Sequence, residues 1–182
     1  GIHLIAPAGS CRPFFEPIGV RSGAELVALV QEAIGPSYQV SGNELILDAV
    51  EDESRGGRSD DRLRAEDLQL ALADSNVVAI VALRGGAWFT RILPLIDFAV
   101  LDRRERRIAV FGFSELTGLV NIVGAHRLGL GVYGMGPAFL TYGMKRYAAT
   151  RLQSEKLEGA TPDEWMLRRL REEFFAYFRQ LT

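Results

Sequence analysis

The run Gly112-Phe113-Ser114-Glu115-Leu116-Thr117 sets a serine between an apolar stretch and a helical one. Residues 107–113 have the pattern of a buried strand, and residues 115–127 carry apolar side chains at helical spacing. A serine at a sharp strand-to-helix turn projects its hydroxyl above the sheet, where it can attack a carbonyl. The first N–H groups of the helix behind it lack intrahelical partners. Those groups and the helix dipole suit a developing oxyanion. A blander reading competes, because serine is also a favoured helix cap.

Gly85-Gly86 forms a second candidate element. It follows the β-branched run at residues 77–83, and two glycines there allow close backbone approach and expose N–H groups. A tight turn would use the same residues. Other reactive side chains are few. His3 falls on the first apolar run, where a core or strand-edge histidine is expected. His126 lies three turns along the helix after Ser114, roughly 15–18 Å away by helix rise. Cys11 is the single cysteine, which excludes an internal disulfide and a cysteine metal cluster. No cofactor and no metal is expected.

These residues need a scaffold, and the chain supplies one. Residues 2–6 read as a first strand running into the loop Pro7-Ala8-Gly9-Ser10. Ser22 with Glu25 makes a capping box for a helix over 23–34, which Gly35-Pro36 ends. A second strand is expected at 38–40 and a polar loop at 48–61. A helix with Leu63, Leu68, Leu70 and Leu72 follows at 61–73, then strands at 77–83, 107–113 and 131–134. Further helical stretches are expected near 88–95 and 138–150. Repeated strand, loop and helix implies an α/β fold: a mostly parallel sheet of about five strands with helices on both faces. In such sheets the functional loops follow the carboxyl ends of the strands. Here those are the loops at 7–12, 84–88 and 112–117.

The tail differs. Thr161-Pro162-Asp163-Glu164 opens a helix expected over 162–180, with Leu167, Leu170, Phe174, Phe178 and Leu181 at spacings of three and four. This amphipathic stripe predicts packing against the same domain, a following domain or a second subunit, so a homodimer is among the expected partners. The domain organisation expected is an α/β unit over 1–150, with 151–182 as linker and helix.

A chain of 182 residues with 48% hydrophobic content can bury a core unaided. The net charge of −2 argues against a nucleic-acid partner. Nineteen of the 21 basic residues are arginine, a bias that reflects genomic composition better than chemistry. No apolar run reaches membrane-spanning length, and no membrane partner is expected. The lone cysteine and the missing leader pattern fit a cytoplasmic location.

The stretch from Arg64 to Thr117 resembles the signature region of LD-carboxypeptidases, the murein tetrapeptide carboxypeptidase and microcin C immunity peptidase family. Arg64-Ala65-Glu66-Asp67-Leu68 is similar to its arginine-alanine…leucine helix, and Arg84-Gly85-Gly86 to its double-glycine loop. Arg91-Ile92-Leu93-Pro94-Leu95-Ile96-Asp97 resembles its leucine-leucine-proline…leucine-aspartate run. Residues 112–117 resemble its glycine-aromatic-serine-aspartate-x-threonine nucleophile motif. Ile5-Ala6-Pro7-Ala8-Gly9 resembles its first strand and loop. There are departures: Glu115 replaces the usual aspartate, Ala87-Trp88 the usual tyrosine-glycine, and Met135 the histidine of a histidine-glycine-proline.

The resemblance implies a serine peptidase that cuts the amide between an L-centred residue and a terminal D-amino acid, as in murein tetrapeptide during cell-wall recycling. It implies Ser114 as nucleophile, with the backbone N–H groups of Gly85, Gly86 and Glu115 around the oxyanion and substrate. The family's glutamate and histidine lie in a C-terminal domain, so that domain is an expected partner and this chain alone is expected to be inactive. The rival expectation is a catalytically inactive, stand-alone binding or assembly domain.

Overall fold

Short β-branched and apolar runs pair into one parallel sheet in the order β2-β1-β3-β4-β5. The strands are β1 (Ile2–Ile5), β2 (Val40–Ser41), β3 (Ala79–Ala82), β4 (Ile108–Gly112) and β5 (Gly129–Tyr133). The computed structural model describes residues 1–48, 60–134, 136–138 and 162–180, with the side chains of 162–167 and 170 outside that description. All but the first residue of the expected helix at 138–150 and most of the expected loop at 48–61 lie outside it too, as does Met135. Ile2 stands opposite both Val40 and Ala79, and Val81 opposite Phe111.

The helices divide between two faces. On one, α1 (Arg12–Phe15) and α2 (Gly23–Ile34) join Leu4, Val81 and Leu83 in a core that also holds Phe174 and Phe178. On the other, α3 (Asp61–Ala73), α4 (Phe89–Ile92) and α5 (Thr117–Gly124) pack around Ile5, Ile80, Ala82 and Val110. The chain therefore leaves β1 toward one face and β3 toward the other. The gap between these neighbouring strands is the topological switch point, where doubly wound sheets open a crevice at their carboxyl ends.

Local chemistry explains the boundaries. Ser22 accepts the Glu25 N–H at 3.1 Å to start α2, while Glu25 reaches back to the Arg21 N–H at 2.7 Å, one residue before the cap. In α3 the inward face is Arg64, Ala65, Leu68, Ala71 and Leu72; Leu63 and Leu70 point to solvent, at 45% and 71% exposure. The expected helix at 115–127 begins as a 3-10 turn, Ser114–Leu116, before α5. β5 starts two residues earlier than its expected position. A Cβ at Gly129 or Gly131 would lie 1.9 Å from the Val123 carbonyl oxygen or 2.1 Å from that of Val120, so these glycines let α5 rest directly on the strand. The expected second strand at 38–40 moves to Val40–Ser41, because pairing with β1 begins only at Val40. The short helix α1 was not foreseen.

The final helix, α6 (Pro162–Arg179), turns its aromatic side back onto α2 and the 3-10 turn at Glu16–Ile18. Phe174 meets Phe15 edge to face at 5.4 Å and Phe178 at 4.9 Å, and both Phe174 and Phe178 are fully buried. The expected stripe is thus covered within the chain at Phe174 and Phe178; the Leu167 and Leu170 side chains lie outside the described ones. Phe174→Ala is expected to cost about 3–5 kcal/mol, read as a lower midpoint in chemical denaturation. A loss below ~1 kcal/mol would show that α6 is not part of the domain's core.

Candidate active site

The turn after β4 holds the one described non-glycine residue with positive φ: Ser114, at 57°. That conformation costs an L-residue about 1–2 kcal/mol. It lifts the serine out of the strand into an exposed position at the carboxyl edge of the sheet. Ser114 is not a plain cap. The residue before its 3-10 turn is Phe113, and no side chain caps that turn or α5. Thr117 closes the turn, its hydroxyl donating to the Ser114 carbonyl at 2.5 Å. Leu116 N–H bonds the Phe113 carbonyl at 3.1 Å.

The glycine loop meets this turn because β3 and β4 are neighbours. A Cβ on Gly85 would sit 2.8 Å from the Ser114 Cβ and 3.1 Å from the Phe113 carbonyl oxygen. Gly86 turns instead to the loop after β1, where a Cβ would lie 2.5 Å from the Ala8 carbonyl oxygen. Gly85 and Ser114 are therefore in contact, and Gly86 wedges the β1 loop. Neither the Gly86 N–H nor the Glu115 N–H donates to a described residue.

Glu115 does more than expected. Its carboxylate accepts the Phe89 N–H and Thr90 N–H, each at 3.1 Å, and the Thr90 hydroxyl at 3.2 Å. It caps α4 and ties the far end of the 85–88 loop to the Ser114 turn. The extra methylene relative to aspartate is absorbed in that reach. Arg91 in α4 pairs with Asp61 at 2.5 Å and lies 4.4 Å over the Trp88 ring, which fixes the indole beside the loop.

Two arginines brace the same edge. Arg64, 4% exposed, bonds Asp60 at 2.9 Å, the Ala6 carbonyl at 2.6 Å, the Leu45 carbonyl at 2.7 Å and the Asp48 carbonyl at 3.1 Å. It fastens the loops after β1 and β2 to α3. Arg84 donates to the Gly85 carbonyl at 2.8 Å and the Ser10 carbonyl at 2.7 Å, bridging the loops after β3 and β1. The motif match contained both arginines, but neither role was readable from spacing, since every partner but Asp60 and Gly85 is distant in sequence.

No histidine stands near Ser114. His3 bonds Ser41 at 2.8 Å and Asp67 at 3.0 Å from the amino half of β1, an inner strand, where its role is structural. His126 bonds Asp102 at 2.7 Å beyond the end of α5. Cys11 is buried. Among the described residues there is no cluster able to hold a metal ion, and no helix is long and apolar enough to cross a membrane.

Gly85→Ala tests the contact with Ser114. The added methyl must displace the Ser114 Cβ or the Phe113 carbonyl, at an expected cost of about 1–3 kcal/mol. A thermal midpoint unchanged within a degree would mean that the turn has room.

Residues 2–134 match the model of the LD-carboxypeptidase N-terminal domain. A Treponema pallidum (strain Nichols) protein named "Putative carboxypeptidase" is 35% identical over 99 residues, which are 54% of this chain and 28% of that protein. The crystal structure of an MccF-like protein from Bacillus anthracis str. Ames aligns at a TM-score of 0.54 and 18% identity, over 82% of this chain and 43% of its own. An MccF-like protein from Streptococcus pneumoniae aligns at 0.46 and 19% identity, over 86% and 45%. The chain thus spans less than half the length of these relatives, and it belongs to the LD-carboxypeptidase N-terminal domain family.

Proposed function

We propose that this chain is the nucleophile-bearing part of a cytoplasmic serine carboxypeptidase, which removes the terminal D-amino acid from murein tetrapeptide in peptidoglycan recycling. The observation that carries the reading is Ser114, raised at φ 57° against Gly85 at the carboxyl edge of the sheet. The Ser114 Oγ attacks the carbonyl of the L-centred residue, and its proton passes to a base. The N–H groups of Gly86 and Glu115, uncommitted within the described residues, stabilise the oxyanion. On collapse of the tetrahedral intermediate the D-amino acid leaves with a proton from the same base. Water then hydrolyses the acyl-enzyme.

A serine hydroxyl needs a base, and both histidines of this chain are engaged elsewhere. We assign base and orienting acid to a histidine and glutamate of a C-terminal domain, with residues 1–150 as the nucleophile domain and 151–182 leading toward that partner. The test is D-alanine release from purified murein tetrapeptide. The full-length protein carrying this domain should release it, and the 182-residue chain alone should not. Ser114-dependent release by the chain alone would mean that a base lies within these residues. No release by the full-length protein would favour the second reading, an inactive binding or assembly domain, which the departures Ala87, Trp88 and Glu115 already invite.

A further inference from the structure

We infer that Arg84 is the anchor for the free carboxylate of the substrate; this rests on reading the Ser114 site as that of a carboxypeptidase. Arg84 lies in the loop that carries Gly85, and Gly85 touches Ser114. Pairing of β3 with β4, with Val81 opposite Phe111, sets the loop that follows β3 beside the Ser114 turn. The Arg84 guanidinium lies at the switch point between β1 and β3, bonded through Nε to the Gly85 carbonyl and through Nη1 to the Ser10 carbonyl. The Phe14 ring lies under it, 5.2 Å from its centre.

These contacts hold the guanidinium still without neutralising it. Carbonyls orient a cation but carry no countercharge. The other arginines at this edge are matched: Arg12 with Asp48, Arg64 with Asp60 and Arg91 with Asp61. Among the described residues Arg84 has no carboxylate partner, and its Nη2 donates to none of them. A half-buried, fixed arginine fork with unspent donors is complementary to a carboxylate. A peptidase that removes only the last residue must recognise the terminal carboxylate, which lies a few bonds beyond the scissile carbonyl. A cation carried by the loop that touches Ser114 is placed to serve that end of the substrate. The acid would then be selected over a neutral end by charge.

The experiment compares kcat/KM of the full-length protein for murein tetrapeptide and for the same peptide ending in D-alaninamide. The wild type should prefer the acid. Arg84→Gln should lower kcat/KM for the acid about 30- to 1,000-fold more than for the amide, mainly through KM, so the preference collapses. Arg84→Lys keeps the charge but not the fork; it should fold as the wild type does and keep only part of the preference. A preference unchanged in both variants, or an equal loss on acid and amide, would overturn the assignment while leaving the Ser114 reading intact. A wild-type protein that cleaves neither peptide would overturn both.

Discussion

Ser114→Ala in the full-length protein should lower kcat/KM for D-alanine release by about 10³–10⁶-fold and leave thermal stability nearly unchanged. The two readouts separate the roles a serine can have at a strand-to-helix turn. A cap contributes about 1 kcal/mol that alanine removes. Ser114 caps neither its own 3-10 turn nor α5, so no such loss is expected. Ser114→Gly sharpens the contrast. Glycine relieves the left-handed backbone, worth about 1–2 kcal/mol, and loses about 0.5–1 kcal/mol of that to its freer unfolded chain. Stability should hold or rise slightly as activity disappears. Activity retained in Ser114→Ala would end the nucleophile assignment. A destabilisation of 1 kcal/mol or more in that variant would restore the cap.

The second large effect is structural. Arg64→Met should destabilise the domain by about 3–5 kcal/mol, a fall on the order of 10 °C in the thermal midpoint. Methionine fills much of the volume but takes the Arg64 ion pair from buried Asp60 and leaves three carbonyls short of a donor. Part of the penalty is the buried carboxylate that has lost its Arg64 partner, so Asp60→Leu added to Arg64→Met should recover some of it. A double variant as unstable as the sum of the singles would place the cost in the carbonyls instead. The consequence reaches the site, because Arg64 holds the Ala6 carbonyl and the loop that follows touches Gly86 through Ala8.

Much of this architecture was legible in one dimension. Helices α2 and α3 begin and end where Ser22, Gly35 and the apolar spacing of 61–73 put them, because capping and periodicity act over three or four residues. Strand positions were right, but their ends shifted by one or two residues wherever a partner sets them, as Val40 opposite Ile2 does. Short helix α1 carries no periodic signal, because its four residues, Arg12–Phe15, are too few to show one.

For the site, sequence by itself determined which residue types stand where: a serine at a strand-to-helix turn, a double glycine after a buried strand, and the motif order that identifies the family. Those are local facts, fixed by turn chemistry and spacing. Tertiary structure decided the rest. Only the placement of β3 beside β4 puts Gly85 on Ser114, and only the switch point between β1 and β3 brings the Ser10 carbonyl to Arg84. The reach of Glu115 to α4 crosses 25 residues, and that of Arg84 to Ser10 crosses 74. Such contacts follow from strand order and the hand of crossovers, which depend on how whole elements cover a sheet. No spacing along the chain encodes them.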